Sequence, residues 1–517
     1  MLKNKKSGRQ LLFFCALTLG IELLWFLLLA LVPFSVLHLR ATPLLEQLSW
    51  LLAPYQQLAG LLHTSASFLP SLLFGGTLLG LIFLYLLALL LSRHAGEILR
   101  HPLLLLSGST ALFGVTLLFL PKLFSDDVFT YMIAGRIITV YGLDPYNTLP
   151  AQLPYDPYIH WVISGRNIAN IYGPLWFCIS ALLSLLSDNP AVSLLLFKGF
   201  ALLMHLLNTL LVWTILGRIM PRRQFSGTLL YAWNPLVLIE LAGNGHSEGL
   251  LLLLLLLAVY CYTYKERIVP CIAAFLIFGL AISTNLIALL LAPLFLWFDV
   301  RHERVLLQAF LAFCRRLVLV LLPAFCLFLP FWKGAVTFFA ITSAIDMQHF
   351  VHSPIGVLAI PLRALFSFFA QVAHIPKYIN PVISADMTLR ASATIIFVLI
   401  YGSCFGQVRA AYLNKAGIFT LFKSWYTSAL WYLVLVSGWF WPWYTLWFFW
   451  MLPFQKLDTF SSTILGLTFT SLFIYAFIGF QSDPIAPYQT ALIFGIPLAY
   501  LLVSLLRRKH KERITRS

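Results

Sequence analysis

Two adjacent aspartates, Asp126 and Asp127, are the residues of this sequence best suited to do chemistry. They follow a long apolar run, and a charge beside a membrane segment is costly unless it faces water or has a function. The polar stretch that contains them, 124–150, also brings Tyr131 and Arg136 into an otherwise apolar chain. A carboxylate pair can supply a general base with a neighbour that tunes it, or it can bind a divalent metal. A solvated loop start without chemistry is the third alternative.

A second polar group, GNGHSE at Gly243–Glu248, interrupts the apolar sequence further along the chain. Gly and Asn suit a tight turn at a helix end, but a turn alone needs neither a histidine nor a glutamate. His246 and Glu248 could therefore contact a polar ligand, although a histidine that is simply hydrogen-bonded is the more frequent case. No third ligand at helical spacing accompanies them, so a metal site here is weakly supported.

An aromatic segment, WFWPWY at 439–444, is the third feature that could contact a ligand. Trp443 and Tyr444 could contact a bound ligand with their rings. The alternative is an ordinary belt of aromatic residues at the membrane interface.

The elements that carry these residues are predicted to be membrane helices. The chain is 61% hydrophobic and only 10% charged, whereas soluble domains are roughly a quarter charged, so a soluble enzyme is excluded. Apolar runs of spanning length recur throughout, and we expect an all-α, polytopic bundle of about 13–15 spans. The net charge of +16 lies in short clusters between these runs, which is typical of cytoplasmic loops rather than of nucleic-acid binding.

The chain is interpreted as one integral-membrane domain with four parts: N-terminal spans at 1–121, an external loop at 122–171, a transmembrane bundle at 172–506 and a basic cytoplasmic tail at 507–517. Within the loop, Val128–Val140 has helical spacing and could lie along the membrane surface. Strict alternation of inside and outside loops leaves the topology of 188–223 and 354–390 open.

The polar stretches resemble the GT-C class of integral-membrane glycosyltransferases. An acidic pair after an early span, followed by an aromatic-rich helix and a G-x-x-PY-like element, is present here as SDDVFTYMIAGRIITVYGLDPYN. Three further elements follow in the expected order, and they begin at Tyr172 (YGPLW), Asn234 (NP, then Glu240 and NGHSE) and Trp441 (WPWYTLW). The resemblance is nearest to the bacterial polyprenyl-phosphomannose-dependent α-1,6-mannosyltransferases, although Glu248 stands where that group often has aspartate.

The resemblance implies an inverting transfer of a hexose, with mannose favoured, from a polyprenyl-phosphate sugar to a hydroxyl of a glycan or glycolipid. Asp126 or Asp127 would be the catalytic base, with Asp126 preferred and Asp127 as its partner. Residues expected to bind the donor sugar or phosphate are Tyr131, Arg136, Tyr172, Asn244, His246, Glu248, His349, Trp443 and Tyr444. No cofactor is required, and a divalent metal stays an open alternative.

The same resemblance implies residence in the plasma membrane, with the lipid bilayer as a partner and the active site on the external face. The alternative function is a transporter or a flippase for lipid-linked sugars. That alternative predicts two inverted halves with matching broken helices, and no such internal symmetry is visible in the sequence.

Overall fold

The protein is built almost entirely from α-helices. A computed structural model describes residues 2–32, 42–44, 57, 69–93, 95–163, 165–168, 170, 172–303, 305–344, 350–374, 380–413, 417–477 and 486–514. The structure is 79% helical, and the residues that it describes form no strand. The predicted all-α class is therefore confirmed.

The first half of the chain contains the acidic pair and the GNGHSE group. In chain order its helices are α1 (Leu2–Leu31), α2 (Leu69–Leu91), α3 (Ala95–Ile98), α4 (Pro102–Leu118), α5 (Asp127–Thr139), α6 (Pro174–Ser184), α7 (Pro190–Ile219), α8 (Gln224–Ala232), α9 (Pro235–Leu238) and α10 (Glu248–Tyr262). A π-helical turn, Ile239–Gly243, continues α9. Short 3-10 turns occur at Pro150–Gln152, Ile159–Trp161 and Pro221–Arg223.

The helices of the second half include the aromatic segment. They are α11 (Ile268–Ile282), α12 (Ala288–Val300), α13 (Leu306–Phe328), α14 (Ala335–Ala344), α15 (Pro354–Val372), α16 (Pro381–Leu413), α17 (Phe419–Leu435), α18 (Leu446–Phe449), α19 (Thr459–Leu472), α20 (Ile474–Phe477) and α21 (Ala486–Ile514). Further 3-10 turns lie at Leu329–Phe331, Pro442–Thr445 and Leu452–Phe454.

Several of these helices are long and apolar enough to cross a membrane. Within the described ranges there are eight, or nine if α9 with its π turn and α10 form one bent span, and four shorter apolar helices of 10–17 residues accompany them. The polytopic membrane architecture is thus confirmed, whereas the number of about 13–15 crossings stays a prediction.

Helix α6 bears on the open topology of 188–223. It has 11 residues and a length of about 16 Å, which is too short to cross a hydrocarbon core of about 30 Å. Helix α7 has 30 residues and about 45 Å, which suffices. These lengths favour one full crossing between the loop that precedes α6 and the basic turn at Pro221–Arg223, which would agree with the charge pattern, and this topology stays a prediction.

Helix α5 is enclosed by protein, whereas the sequence suggested that it could lie along the membrane surface. Its residues from Val128 to Ile137 are all buried. The approach to α6 is close, because a Cβ atom added to Gly135 would lie 2.2 Å from the Ser184 hydroxyl and 2.3 Å from the Ser180 carbonyl oxygen. The absence of a side chain at Gly135 therefore lets α5 pack closely against α6.

The chain divides into two compact units. The first comprises Met1–Leu289 and Cys314–Ile345, and the second comprises Leu290–Phe313 and Asp346–Ser517. The first unit contains the acidic pair and the GNGHSE turn, and the second contains the aromatic segment. The assignment of the whole chain to a single domain stays a prediction.

Candidate active site

The two aspartates stand at the start of α5, where negative charge is stabilised by the helix dipole. Asp126 is the residue before the helix, and its Oδ2 accepts a hydrogen bond from the backbone N–H of Ile163 at 2.9 Å. Asp127 is the first helical residue, and its Oδ2 lies 3.7 Å from Nδ1 of His246. The two carboxylates therefore have different partners: Asp126 holds the following loop, and Asp127 faces the GNGHSE turn.

The GNGHSE turn is a sharp bend inside an apolar helix pair. Asn234 caps α9 by accepting hydrogen bonds from the N–H groups of Leu236 and Val237. The chain then bends by 116° between the π turn and α10. Gly245 occupies the left-handed region at φ +76°, and an added Cβ would lie 3.2 Å from Lys198 and 3.3 Å from Val128. The bend thus requires glycine both for its backbone angle and for its contact with α5 and α7.

A hydrogen-bonded chain joins this turn to the acidic loop. The backbone N–H of Phe124 donates to Oδ1 of Asn244 at 3.1 Å. Nδ2 of Asn244 in turn donates to Oε2 of Glu240 at 2.9 Å. Asn244 thereby fixes the segment just before Asp126 against the π turn, and it orients the Glu240 carboxylate.

His246 is the centre of the cluster. Its Nε2 lies 3.3 Å from Oε2 of Glu240, and its Nδ1 lies 3.7 Å from Asp127, 3.9 Å from Oε2 of Glu248 and 3.4 Å from the hydroxyl of Tyr131. The His246 and Glu240 side chains have no exposed surface, and that of Glu248 is 4% exposed. The Asp127 side chain keeps 22% of its surface exposed, so it is the member of the cluster that a substrate can reach.

Aromatic rings form one side of the cluster. Tyr131 lies one helical turn after Asp127, on the same face of α5. Its ring makes edge-to-face contacts with Tyr172 at 4.8 Å and Trp176 at 5.0 Å. The hydroxyl of Tyr146 donates to the Tyr172 carbonyl at 2.8 Å and holds the segment before α6. The PY and YGPLW elements of the sequence thus support the acidic pair.

The electrostatics of this pocket favour a base that works near neutral pH. Burial raises the pKa of Asp127 from its ordinary value of 3.8 to about 7. The His246 ring opposes this increase in the pKa, whereas repulsion from Asp126 and Glu248 adds to it. A carboxylate with this pKa can both take and release a proton at physiological pH.

Lys198 of α7 supports the segment that precedes the acidic pair through hydrogen bonds to backbone carbonyls. Its Nζ donates to the carbonyl oxygens of Leu117 and Leu118 at 3.0 and 2.6 Å. These are among the last carbonyls of α4, which have no partner within the helix. The lysine thereby fixes the end of α4, from which the chain continues to the acidic pair.

Arg136, predicted to bind a phosphate, has other partners. It lies nine residues after Asp127, on the opposite face of α5 and about 13 Å further along the axis. Its Nε contacts Asp156 at 2.8 Å, its Nη1 contacts Asp188 at 3.3 Å, and its guanidinium covers the ring of Tyr158. These contacts hold the loop of 144–161 onto α5 and give Arg136 a structural role.

The remaining predicted residues lie elsewhere. His349 is outside the described residues. Trp443 and Tyr444 belong to the second unit, where Trp443 stacks on Trp441 with ring centroids 5.4 Å apart, and Tyr444 stacks on Trp447 at 4.1 Å. Among the residues that the structure describes, no group of three or more His, Cys, Asp and Glu side chains is arranged to hold a metal ion.

A comparison with known families identifies the group to which this fold and site belong. A family model described as "Alpha-(1->6)-mannopyranosyltransferase, N-terminal domain" matches residues 27–301, which is more than half of the chain. The chain belongs to this family. The matched residues include the whole cluster around His246, and they end before the aromatic segment of the second unit.

Individual relatives in the alpha-(1->6)-mannopyranosyltransferase family share 28–30% identity with parts of the chain. The chain is 28% identical over 228 residues to Alpha-(1->6)-mannopyranosyltransferase A of Mycobacterium tuberculosis, which covers 42% of each protein. It is 30% identical over 181 residues to a probable alpha-(1->6)-mannopyranosyltransferase of Mycolicibacterium smegmatis, covering 34% of this chain and 32% of the relative. Alpha-(1->6)-mannopyranosyltransferase B of Corynebacterium glutamicum is 28% identical over 134 residues, or 25% and 22% of the two chains.

The chain thus matches less than half the length of each of these relatives. No solved structure matches the chain.

Glu240 of the cluster and Asp156, the partner of Arg136, were not among the residues predicted to catalyse or to bind the donor. Glu240 belongs to one of the sequence elements that carry the family resemblance, and the signal that it matters is a lone acid inside the apolar run before GNGHSE. Asp156 lies in a loop rich in proline and tyrosine, where no helical or strand periodicity indicates which residues will be neighbours. Only the folded loop brings it to α5.

Proposed function

We propose that this protein is a membrane mannosyltransferase. It moves mannose from a polyprenyl-phosphate donor to a hydroxyl of a glycan or glycolipid acceptor at the external face of the plasma membrane. The observation that carries the proposal is a partly exposed carboxylate, Asp127, held beside a buried histidine in a polar pocket of an apolar helical protein. Membership of the family and the mannosyltransferase names of the relatives support the sugar and the reaction.

The reaction is a single displacement. Asp127 takes the proton of the acceptor hydroxyl, and the oxygen attacks the anomeric carbon of the donor sugar. The bond between that carbon and the phosphate oxygen breaks, its electron pair leaves with the polyprenyl phosphate, and the configuration of the carbon is inverted. No covalent intermediate with the enzyme is formed, and the step as written uses no metal.

Asp127 is the better candidate for the base, although the sequence alone favoured Asp126. The Asp126 carboxylate accepts a backbone hydrogen bond from Ile163, which commits it to holding the loop. Asp127 has a pKa of about 7, which burial raises, and its side chain is partly exposed. We assign Asp126 the role of placing the start of α5.

Other predicted residues keep their proposed roles in donor binding. The hydroxyl of Tyr172 lies beside Asp127, where it can contact a sugar oxygen. Tyr131 is 1% exposed and is proposed for the donor on the resemblance alone. Trp443, Tyr444 and His349 are proposed for the donor on the resemblance alone.

The transporter or flippase alternative makes a different structural demand. It requires two matching broken helices in inverted halves. The described part of the chain contains one bent helix pair, and this pair carries the GNGHSE turn. The enzyme is therefore the function that we propose.

The test is sugar transfer by the purified protein in liposomes. Radiolabelled polyprenyl-phosphomannose, polyprenyl-phosphoglucose and GDP-mannose are each offered with a short α-mannoside acceptor, with and without EDTA. We expect product from the lipid-linked mannose alone. Movement of the lipid-linked sugar across the bilayer without transfer would support the flippase alternative instead, and loss of product in EDTA would add a metal to the reaction.

A further inference from the structure

The buried pair of Glu240 and His246 has no direct access to a substrate. Neither side chain has exposed surface, whereas Asp127 is reached from outside. Any effect of the pair on sugar transfer must therefore pass through a neighbour. The only exposed member of the His246 cluster with acid–base character suited to neutral pH is Asp127, 3.7 Å from the ring.

Three carboxylates surround the His246 ring within 4 Å. Glu240 approaches one ring nitrogen, while Asp127 and Glu248 approach the other. Opposite charges at such distances favour the imidazolium form, and the imidazolium in turn favours the ionised form of Asp127. Glu240 is itself fixed by the amide of Asn244, so the imidazole has one carboxylate that is held in place on the side away from the substrate.

The local fold is organised to build this arrangement. A π turn places Glu240 directly before the bend, and such turns occur frequently at functional sites. Gly245 then reverses the chain so that His246 returns onto Glu240, and the His246 N–H donates to the Glu240 carbonyl at 3.1 Å. An ordinary helix end would need neither the π turn nor two buried ionisable side chains.

We infer that His246, oriented by Glu240, is a positioning residue that holds Asp127 ionised and pointed toward the acceptor. The inference rests on the proposed function only in naming an acceptor, because His246 would affect the protonation of Asp127 even without turnover. The groups that face Asp127 and His246 are Asp126 before α5, Tyr131 of α5, Tyr172 before α6, Glu240 of the π turn and Glu248 of α10. Lys198 of α7 packs against Gly245 through its stem, and its Nζ donates to the carbonyls of Leu117 and Leu118.

The test reads the proton on Asp127 directly. A hydrophobic carbodiimide reacts with protonated carboxyl groups, and mass spectrometry locates the adduct at Asp127 as a function of pH. In the wild-type protein, labelling should rise on acidification with a midpoint near pH 7. In His246→Gln the midpoint should move upward by about one to three pH units, because the opposing positive charge is lost. Glu240→Gln should give a smaller shift in the same direction.

Asp126→Asn is the control of opposite sign. It removes a repelling charge without touching the histidine, so the midpoint should move downward. Gel filtration and the melting temperature establish whether each variant is folded. If His246→Gln does not fold, the nearly isosteric Glu240→Gln variant is used for the test. A midpoint that stays at the wild-type value in folded Glu240→Gln and His246→Gln overturns the inference, as does wild-type labelling that does not rise on acidification.

The pH dependence of transfer is the second readout. In the two variants the rising limb of kcat/KM should move to higher pH together with the labelling midpoint. If the wild-type protein transfers no sugar but the labelling midpoints shift as described, the proposed function fails and the coupling stands. If transfer occurs and the midpoints do not shift, the coupling fails and the function stands.

Discussion

At the scale of single residues, adjacent carboxylates have separate partners because Asp126 precedes α5 and Asp127 begins it, so their side chains point in different directions. Asp126 and Asp127 are neighbours in sequence, but one contacts a loop backbone and the other a histidine. The sequence predicted the pair, and it also predicted His246 and Glu248 as polar outliers in an apolar chain. It ranked Asp126 above Asp127, whereas the contacts that distinguish them involve Ile163 and His246, which are distant in sequence.

The pH dependence of transfer follows from Asp127. Since the base must be ionised, and since burial raises its pKa to about 7, kcat/KM should fall as the pH decreases through 7. Above that pH the rate should reach a plateau. An initial-rate series from pH 5 to 9 at fixed donor and acceptor measures this limb. A rate already constant between pH 5 and 6 would contradict the assignment, because a carboxylate of ordinary pKa near 3.8 would then be the base.

At the scale of elements, close packing sets the position of α5, the helix that begins at Asp127. α5 is buried on all sides, and Gly135 lets it approach α6 at the distance of backbone contact. The sequence predicted a helix over Val128–Val140 correctly. The polar residues Thr130, Arg136 and Thr139 suggested that this helix could lie along the membrane surface. Arg136 is instead paired with Asp156, which local periodicity cannot indicate.

Gly135→Ala should loosen this packing. The added methyl group would overlap Ser180 and Ser184, and overpacking of this kind costs about 1–3 kcal/mol. We expect a lower melting temperature together with slower transfer, since α5 carries Asp127. Gly199→Ala in α7 is the matched control, because an added Cβ there meets no atom within 4 Å. Equal melting temperatures for the two variants would show that the α5–α6 contact is not tight.

At the scale of the whole molecule, hydropathy predicts a helical membrane protein but not which apolar runs cross the bilayer. α6 has the composition of a span and about half the needed length. Its end is visible only in the structure, because the sequence stays apolar up to Ser187. The stacks of Trp441 on Trp443 and of Tyr444 on Trp447 form an aromatic element in the second unit.

Labelling of single cysteines tests this topology. In a background without the seven native cysteines, cysteine is introduced at Tyr155, Asp188 or Arg222. Tyr155 and Asp188 are 97% and 93% exposed, and Arg136 joins their loops, so a membrane-impermeant maleimide should label both from one side. Arg222, beyond α7, should be labelled from the other side. Labelling of positions 188 and 222 from the same side would contradict α7 as the one crossing between them.

The most direct test of the central claim is the transfer rate of Asp127→Asn with polyprenyl-phosphomannose and a short α-mannoside acceptor. Asp188→Asn, which removes an exposed carboxylate, is the matched control. Loss of a general base lowers rates by about 10²–10⁴-fold, so we expect that loss in kcat for Asp127→Asn with donor binding retained, and a rate close to wild type for Asp188→Asn. Asp126→Asn should keep measurable transfer. A folded Asp127→Asn protein with the wild-type rate, or loss of transfer in Asp126→Asn alone, would contradict the account.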